Sequence, residues 1–287
     1  MAVGDVQVLF GDEVSRTNPK DATSSNISIS INDGMVFNGT SSYAYINNFD
    51  LSDTDQMTIS YWIYPTISSI CIICEHSTDY TTNNNAFAAS YGDDGPDKII
   101  FFMADHKDAN NFFRTIKSYP LNNWYHVVIT KDRTLAGSYQ TKIWVNGIKD
   151  YVIYAGANAT LTSYYGNYPL YIGSRAGSTF FLKGKLCNFL IYKRILNERE
   201  IKDLYNSGRT AYAVVRDGLY VEYSGRDYKG SPSSPTLIYD TKSITRTMLN
   251  PRITEQALKE LRTNANTKYL AAEINGKIMF AGIEEAA

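Results

Sequence analysis

Short runs of alternating apolar and polar residues dominate the chain from about residue 26 onward. Clusters of Asn, Gly, Ser and Asp separate these runs, which lie at residues 27–31, 43–46, 57–64, 99–103, 124–130, 142–145 and 170–172. A period of two is typical of half-buried strands, and regularly spaced turn clusters indicate a sandwich or barrel. Asn146-Gly147 adds a hairpin, because this pair readily adopts the positive φ angles of a type I′ turn. The pattern predicts an all-β body.

The period changes near residue 197. Asn197 is placed to cap a helix that has Glu200 at its third position, and apolar residues follow at helical spacing. Gly208 is a suitable C-terminal stop. We therefore predict one short helix that closes the β-rich region.

The pattern restarts after Arg209 as a smaller unit. Residues 211–223 are typical of a hairpin with an Asp-Gly turn, 225–235 of a loop and 236–240 of a strand. Thr254 is placed to cap a further helix, and residues 268–283 form a second hairpin pattern around Asn-Gly.

Three segments follow from these patterns. We predict an N-terminal arm or linker at residues 1–25, a sandwich at 26–208, and a small α+β anchoring or oligomerisation module at 209–287.

Charge and composition narrow the classes of function. The chain has 28 Lys and Arg against 29 Asp and Glu, without a basic block, which disfavours a nucleic-acid partner. No apolar stretch approaches the roughly 20 residues of a membrane helix. Asp5 and Asp12 interrupt the amino-terminal segment, so we expect no secretory leader.

The three cysteines are predicted to be buried free thiols. Cys71 and Cys74 lie three apart in a predicted strand, which would point them to opposite faces and oppose a local disulfide or shared metal.

Several segments together resemble the laminin-G-like, or concanavalin-A-like, jelly-roll family, as found in bacterial and phage surface proteins. The segments are MVFNGTSSY at 35–43, MTISYWIYP at 57–65, WYHVV at 124–128, KIWVNG at 142–147, YIG at 171–173, GKL at 184–186, YKRIL at 192–196 and EIKDLY at 200–205. The resemblance covers roughly residues 26–208. It implies an antiparallel jelly-roll β-sandwich. Together with the pattern after Arg209, the predicted fold is mainly β with a small C-terminal α+β module.

Most of these signature residues are expected to be structural. Alternation puts Ile59, Tyr61 and Ile63 on one face of a strand. We expect Trp62 and Trp124 to pack in the core or at an edge rather than to serve as sugar platforms, and the same structural role is expected for His126.

Candidate catalytic groups are absent from the sequence patterns. Jelly-roll glycosidases that resemble this fold usually carry the motif Glu-x-Asp-x-Glu along one strand. This motif does not occur in the sequence. Glu198 and Glu200 fall in the first turn of the predicted helix, where they favour the helix dipole. Residues 173–177 place Arg where a nucleophile elbow needs Ser. We predict that the protein is not an enzyme.

The family resemblance also implies Ca²⁺ at one rim, held by loop oxygen atoms. Hard oxygen ligands suit that ion, and the richest candidate is Asp93, Asp94 and Asp97, with Asp50, Asp53 and Asp55 as a second cluster. The alternative is a solvated turn that uses Asx hydrogen bonds. No cofactor is required by any pattern.

Tyrosine supplies 23 residues, and several of them stand in polar loops. Flat amphipathic rings beside amides suit sugar hydroxyls or protein contacts. The candidate ligand-binding residues are Tyr80, Asn83, Tyr164, Tyr165 and Tyr168. The alternative is that these residues only solubilise the loops.

Three functions remain, in this order. The first is a non-enzymatic virion structural protein, such as a capsid decoration, head-fibre or tail component, at the virion surface. It would contact other virion proteins, form a homo-oligomer and be anchored by residues 209–287. The second is an adhesin that binds a cell-surface glycan, with or without Ca²⁺. The third is a polysaccharide-active enzyme.

Overall fold

The computed structural model describes residues 20–78, 86–92, 95–105, 109–135, 139–155, 165–243, 269–274 and 277–282. The chain divides into two units, one of Pro19–Ser243 and one of Met1–Asn18 with Ile244–Ala287. In the part that is described, the second unit contributes an antiparallel hairpin, at the position that the Asn275-Gly276 pattern predicts. Its two strands are listed with the others below.

Two antiparallel sheets form the first unit. The ten-stranded sheet contains, in spatial order, β13 (Val152–Ala155), β9 (Ala109–Thr115), β8 (Ile99–Asp105), β7 (Ala86–Tyr91), β6 (Cys71–His76), β14 (Asn167–Ile172), β4 (Tyr43–Asp50), β1 (Ala22–Ser25), β18 (Ser234–Ile238) and β17 (Tyr228–Ser231). The eight-stranded sheet contains β12 (Ile148–Asp150), β11 (Thr141–Val145), β10 (Tyr125–Asp132), β5 (Gln56–Pro65), β15 (Lys183–Tyr192), β3 (Gly34–Asn38) and β2 (Ser28–Ser30), with β16 (Leu219–Tyr223) paired to β15. The hairpin of the second unit consists of β19 (Tyr269–Ile274) and β20 (Lys277–Gly282).

The core lies between these two sheets. Alternate residues of each strand enter it, for example Ile59 and Tyr61 of β5 and Ala44 and Ile46 of β4, all of which are buried. Each large apolar side chain buried in this way contributes roughly 1.5–3 kcal/mol. The predicted antiparallel jelly-roll β-sandwich is thereby confirmed, as is the predicted inward face of β5.

The local sequence signals for the closing helix and for the Asn146-Gly147 hairpin are confirmed. Helix α1 (Glu198–Ser207) begins with a capping box in which Asn197 Oδ1 accepts from Glu200 N and Glu200 Oε2 accepts from Asn197 N. Gly208 ends the helix at a positive φ angle of 82°. Asn146 and Gly147 also have positive φ angles, 52° and 73°, as a type I′ hairpin requires.

The cysteines are free and buried, as predicted, but the predicted facing of two of them is wrong. A β-bulge between Ile72 and Cys74 shifts the register of β6, so Cys71 and Cys74 both enter the core between the sheets. Burial raises the pKa of each thiol to about 12, so both stay protonated at neutral pH.

The segment boundaries in the structure differ from the predicted ones. Residues 22–25 are a strand between β4 and β18, rather than part of an arm. The strand that begins at Leu219 pairs with β15 instead of forming a hairpin with residues 211–216, and Tyr228–Ser231 is a strand where a loop was expected. Hydrogen bonding across the sheets therefore joins residues 209–243 to the sandwich. Thr254 lies outside the described residues.

Among the described residues, no helix combines the length and apolar character needed to cross a bilayer.

Candidate functional site

Three tyrosines stand side by side on the outer face of the ten-stranded sheet. Tyr43 and Tyr45 alternate along β4 with core residues, and Tyr171 of β14 lies directly across from Tyr45 in the register of the two strands. Because successive side chains point to opposite faces, burial of the residues between them turns these rings outward. All three rings are half-buried.

The rings form a continuous aromatic surface. The Tyr45 and Tyr171 ring centres are 6.0 Å apart with an interplanar angle of 23°, and Tyr43 lies 6.0 Å from Tyr45 and 6.3 Å from Tyr171. Phe181 extends the surface at 6.5 Å from Tyr43. We name Tyr43, Tyr45, Tyr171 and Phe181 the tyrosine platform. Such spacings are typical of aromatic pairs that stabilise one another.

A glycine allows the neighbouring turn to approach the platform. Gly177 has a φ angle of +68°, and a Cβ atom there would come within 2.9 Å of the Tyr43 ring. A side chain would therefore displace the ring as well as strain the backbone.

A buried ion pair stands beside the platform. Glu75, which lies opposite Tyr171 on β6, is 0% exposed, and its Oε2 accepts a hydrogen bond from Arg175 Nε at 2.8 Å. Ser77 Oγ donates to the other carboxylate oxygen at 2.8 Å. The guanidinium also lies 5.0 Å from the Phe180 ring centre. These contacts fix the orientation of Arg175, which is partly exposed.

Burial and the neighbouring groups keep the Tyr171 hydroxyl protonated. The pKa of Tyr171 is raised, first by burial and then by Tyr43, Tyr45 and Glu75. Within the part of the chain that the structure describes, no hydrogen-bond partner occurs for the hydroxyls of Tyr43, Tyr45 and Tyr171. The platform can thus offer apolar ring faces together with hydroxyl donors and acceptors.

Aromatic residues on the outer face of the other sheet are covered instead. Trp62 stacks on Tyr205 of helix α1 at 5.7 Å and contacts the His126 ring, which is tilted against it, at 5.1 Å. Trp124 contacts Tyr64 at 5.6 Å, and the guanidinium of Arg209 lies 4.9 Å from its ring centre. The expected packing roles of both tryptophans agree with these contacts.

His126 lies beneath the same helix. It is 2% exposed, and its Nε2 is 3.0 Å from Ser60 Oγ. Burial lowers its pKa to about 3, so the ring is neutral and packs as an apolar group. This geometry agrees with the structural role expected for it.

The predicted ligand-binding residues do not gather into one surface among the described positions. Tyr165 is only 2% exposed and packs against Phe87 at 5.7 Å, so the expectation that its ring is displayed in a loop is wrong. Tyr168 is half-buried and packs edge-on against His76 at 5.4 Å. Tyr80, Asn83 and Tyr164 lie outside the described residues.

The structure describes only one of the three residues in the richest predicted Ca²⁺ site. Asp97 has a positive φ angle of 62°, and its Oδ1 accepts from Tyr91 Oη at 2.9 Å. Asp93 and Asp94 lie outside the described residues. In the described ranges, no group of three or more His, Cys, Asp or Glu residues is placed to hold a metal ion. The Ca²⁺ site therefore stays a prediction.

Sequence reasoning missed the tyrosine platform, although half of its signal was present. Alternation in Tyr43-Ala44-Tyr45-Ile46 already places two tyrosines on one face. The missing half is the pairing of β4 with β14, which are far apart along the chain.

Comparison with known proteins agrees with this fold. The family described as the concanavalin A-like lectin/glucanases superfamily matches residues 38–202. No curated protein matches the sequence.

Several solved structures are similar to this chain at low sequence identity. The receptor-binding domain of botulinum neurotoxin C/D mosaic serotype is 11% identical, with a TM-score of 0.50, over 66% of this chain and 46% of that one. A putative carbohydrate binding protein from Bacteroides ovatus is 18% identical, with a TM-score of 0.44, over 71% of this chain and 50% of that one. Domain 4 of AbnA, an extracellular arabinanase from Geobacillus stearothermophilus solved with arabinotriose, is 18% identical, with a TM-score of 0.44, over 63% of this chain and 80% of that one.

The family match spans more than half of the chain and includes the strands that carry Tyr43, Tyr45 and Tyr171. The protein belongs to the concanavalin A-like lectin/glucanases superfamily.

Proposed function

We propose that the protein is a noncatalytic carbohydrate-binding protein that holds its glycan on the tyrosine platform. The observation that carries this proposal is the continuous surface of Tyr43, Tyr45 and Tyr171 on two paired strands. Membership of a superfamily that is described by lectins and glucanases supports the same class of ligand.

The platform chemistry fits a sugar. One face of a pyranose presents C–H groups that pack on an aromatic ring, while its hydroxyls need polar partners at the edge. Tyrosine supplies both functions in one rigid side chain, which loses little conformational entropy on binding. Rings on adjacent strands would contact successive units of a glycan chain.

Arg175 adds a polar contact beside the aromatic surface. Its Nε is bonded to the buried Glu75 carboxylate, and this ion pair orients the guanidinium in advance of binding. Preorganised groups lose less freedom when the ligand arrives. Arg175 therefore favours binding of sugar hydroxyls at the edge of the platform.

The noncatalytic part of the proposal rests on the role of Glu75. Glycoside hydrolysis needs two carboxyl groups that face the bond to be cleaved, one of which donates a proton to the leaving-group oxygen. The Glu75 carboxylate is instead 0% exposed and bonded to Arg175 and Ser77. This arrangement supports a role for Glu75 in orienting Arg175 rather than in transferring a proton to a substrate.

A glycan array with the full chain tests the proposal. We expect retention of neutral oligosaccharides by the parent protein and loss of that retention in the double variant Tyr45→Ala, Tyr171→Ala. Tyr64→Ala is the matched control, because it removes a half-buried tyrosine from the outer face of the eight-stranded sheet. Equal retention by the double variant and the parent would contradict the proposal, and glycan cleavage during the assay would contradict its noncatalytic part.

Display at a virion surface is a separate part of the proposed function. It concerns where the protein is displayed rather than what the platform binds. The sequence also predicts that the protein contacts other virion proteins and forms a homo-oligomer, and these partners belong to the same hypothesis. Immunogold electron microscopy of particles from the native source checks this hypothesis. Label on the particles would support it, and label confined to other fractions would contradict it.

A further inference from the structure

A second concave surface lies where the chain passes from β12 to β13. It encloses about 350 Å³ and is lined chiefly by Tyr139, Thr141, Lys142, Lys149, Asp150 and Tyr151. We name it the rim cleft. Its volume falls within the range of small-molecule sites.

The rim cleft is well separated from the tyrosine platform. Four strands lie between β13 and β14 in the ten-stranded sheet. At a strand spacing of about 4.8 Å, β13 and the nearest platform strand are roughly 24 Å apart. A ligand in the cleft would therefore be bound independently of one on the platform.

Two lysines give the cleft its charge. Lys142 and Lys149 lie on the paired strands β11 and β12, and both are exposed. In the described part of the chain, neither lysine forms an ion pair with a carboxylate. Two ammonium groups are thus available to one bound anion.

The only carboxylate that lines the cleft, among the residues described, is already bonded elsewhere. Asp150 is 5% exposed; its Oδ2 accepts from Tyr119 Oη at 2.7 Å, and its Oδ1 accepts from Tyr151 N at 2.7 Å. These bonds hold the carboxylate on the protein side, so it stabilises the wall of the cleft. The two lysines outnumber it.

Exposed aromatic rings flank the lysines. Tyr139 and Tyr151 are 71% and 80% exposed, so their rings are accessible to a ligand. Rings beside ammonium groups suit a sugar that carries an acidic substituent, because the ring contacts the sugar face and the lysine contacts the anion.

A buried hydroxyl gives an independent indication of a ligand. Thr141 is 2% exposed and lines the cleft, and its Oγ1 has no hydrogen-bond partner among the described residues. A buried polar atom without a partner is costly, so a water molecule or a ligand group that reaches this hydroxyl would be stabilised there.

We infer that the rim cleft is a second binding site, and that its ligand is an acidic saccharide bearing a carboxylate or sulfate group. The lysines hold the anion, and the two tyrosines contact the sugar ring.

Isothermal titration of the full chain with an oligogalacturonide tests the requirement for charge. Its methyl ester has the same backbone without the carboxylates, and we expect it to bind at least about tenfold more weakly, because charge-assisted hydrogen bonds are the stronger class. A heparin oligosaccharide is the sulfate-bearing probe. Equal binding of the acid and its ester, or no binding of either acidic probe, would overturn the inference.

Matched lysine variants test the location. Lys142→Gln with Lys149→Gln is expected to weaken binding of the acidic probe by about tenfold or more. The control, Lys202→Gln with Lys229→Gln, removes the same charge from exposed positions that do not line the cleft. Equal loss in both pairs, or equal competition by single-stranded DNA, would show general polyanion attraction and overturn the site.

Two further arms separate this site from the platform. Tyr151→Ala is expected to weaken acidic-probe binding severalfold, with partial rescue by Tyr151→Phe, which keeps the ring. The platform variant Tyr45→Ala, Tyr171→Ala should retain full affinity for the acidic probe. If that variant loses the acidic probe, the rim cleft inference fails while the proposed carbohydrate function stands.

Discussion

The outer faces of the two sheets both carry aromatic residues, but these residues have different surroundings. On the eight-stranded sheet, helix α1 and residues 211–215 cover Trp62, Trp144 and His126. On the ten-stranded sheet, Tyr43, Tyr45 and Tyr171 carry no such cover in the part of the chain that is described. An aromatic strip on a sheet is therefore a packing surface or a binding surface according to what lies on it.

Helix α1 provides the cover on the first of these faces. Its buried residues Ile201 and Leu204 pack against Val128 and Leu190. Burial of this seam contributes to the stability of the fold, whereas the open face carries the proposed glycan site. The comparison predicts that mutations in the two regions have opposite signatures.

Removal of the cover should have the largest effect on stability. Leu204→Ala deletes a side chain that is 4% exposed, and we expect a loss of about 2–5 kcal/mol in the free energy of unfolding because a cavity remains. Urea unfolding measures this loss. Glycan affinity of the still-folded variant should equal that of the parent; a parallel loss of affinity would break the separation between the two faces.

Removal of a platform ring should have the opposite signature. Tyr45→Ala or Tyr171→Ala is expected to cost about 2 kcal/mol of binding free energy, as an aromatic anchor does. This corresponds to roughly a 30-fold increase in Kd. Isothermal titration with the best glycan from the array measures it.

Tyr171→Phe sharpens that result, because it removes only the hydroxyl. We expect it to cost about 1 kcal/mol, the usual contribution of one hydrogen bond. If both substitutions at Tyr171 leave Kd unchanged while the ligand still binds, the platform is not the site.

The covered face also predicts a pH dependence. Burial lowers the pKa of His126 from its usual 6.5 to about 3, so the folded chain excludes the proton that the unfolded chain accepts. The contribution of His126 to the free energy of unfolding is therefore fully present above about pH 6.5, and it falls as the pH is lowered toward 3. The expected slope is about 1.4 kcal/mol per pH unit for each such histidine.

Among the described residues, two histidines contribute to that slope. His76 is also buried, with a pKa of about 4, so the parent should take up two protons on unfolding near pH 5. His126→Gln should remove one of them and halve the slope in urea titrations. An unchanged slope would show that His126 is open to solvent and that its face is not covered.

The helix cap should give the smallest effect of this series. Asn197→Ala removes the acceptor for Glu200 N, and we expect a loss of about 1 kcal/mol in unfolding free energy. Asn206→Ala, in the last turn of the same helix, is the control, because it makes the same change away from the cap. Equal effects at both positions would contradict a specific role for the capping box.

The sequence predicts the elements of this fold better than their partners. Alternation placed Ile59, Tyr61 and Ile63 correctly, and capping and turn residues marked helix α1 and the Asn146-Gly147 hairpin. These signals act over a few residues, where backbone and side-chain preferences decide the structure.

Long-range pairing was the part that the sequence did not reveal. The bulge at Ile72 and Cys74 moves one thiol to the other face, and β16 pairs with β15 rather than with its neighbour in sequence. The platform depends on the same kind of information, since Tyr45 meets Tyr171 only through the pairing of β4 with β14. The buried Glu75 carboxylate then orients Arg175 beside the platform.

Nuclear magnetic resonance of the full chain with ring-labelled tyrosine tests the central claim most directly. Titration with a neutral glycan should shift the ring signals of Tyr43, Tyr45 and Tyr171. The signal of Tyr205 in helix α1, which stacks on Trp62, should stay unchanged. Saturable binding that shifts Tyr205 and leaves the three platform rings unchanged would contradict the account.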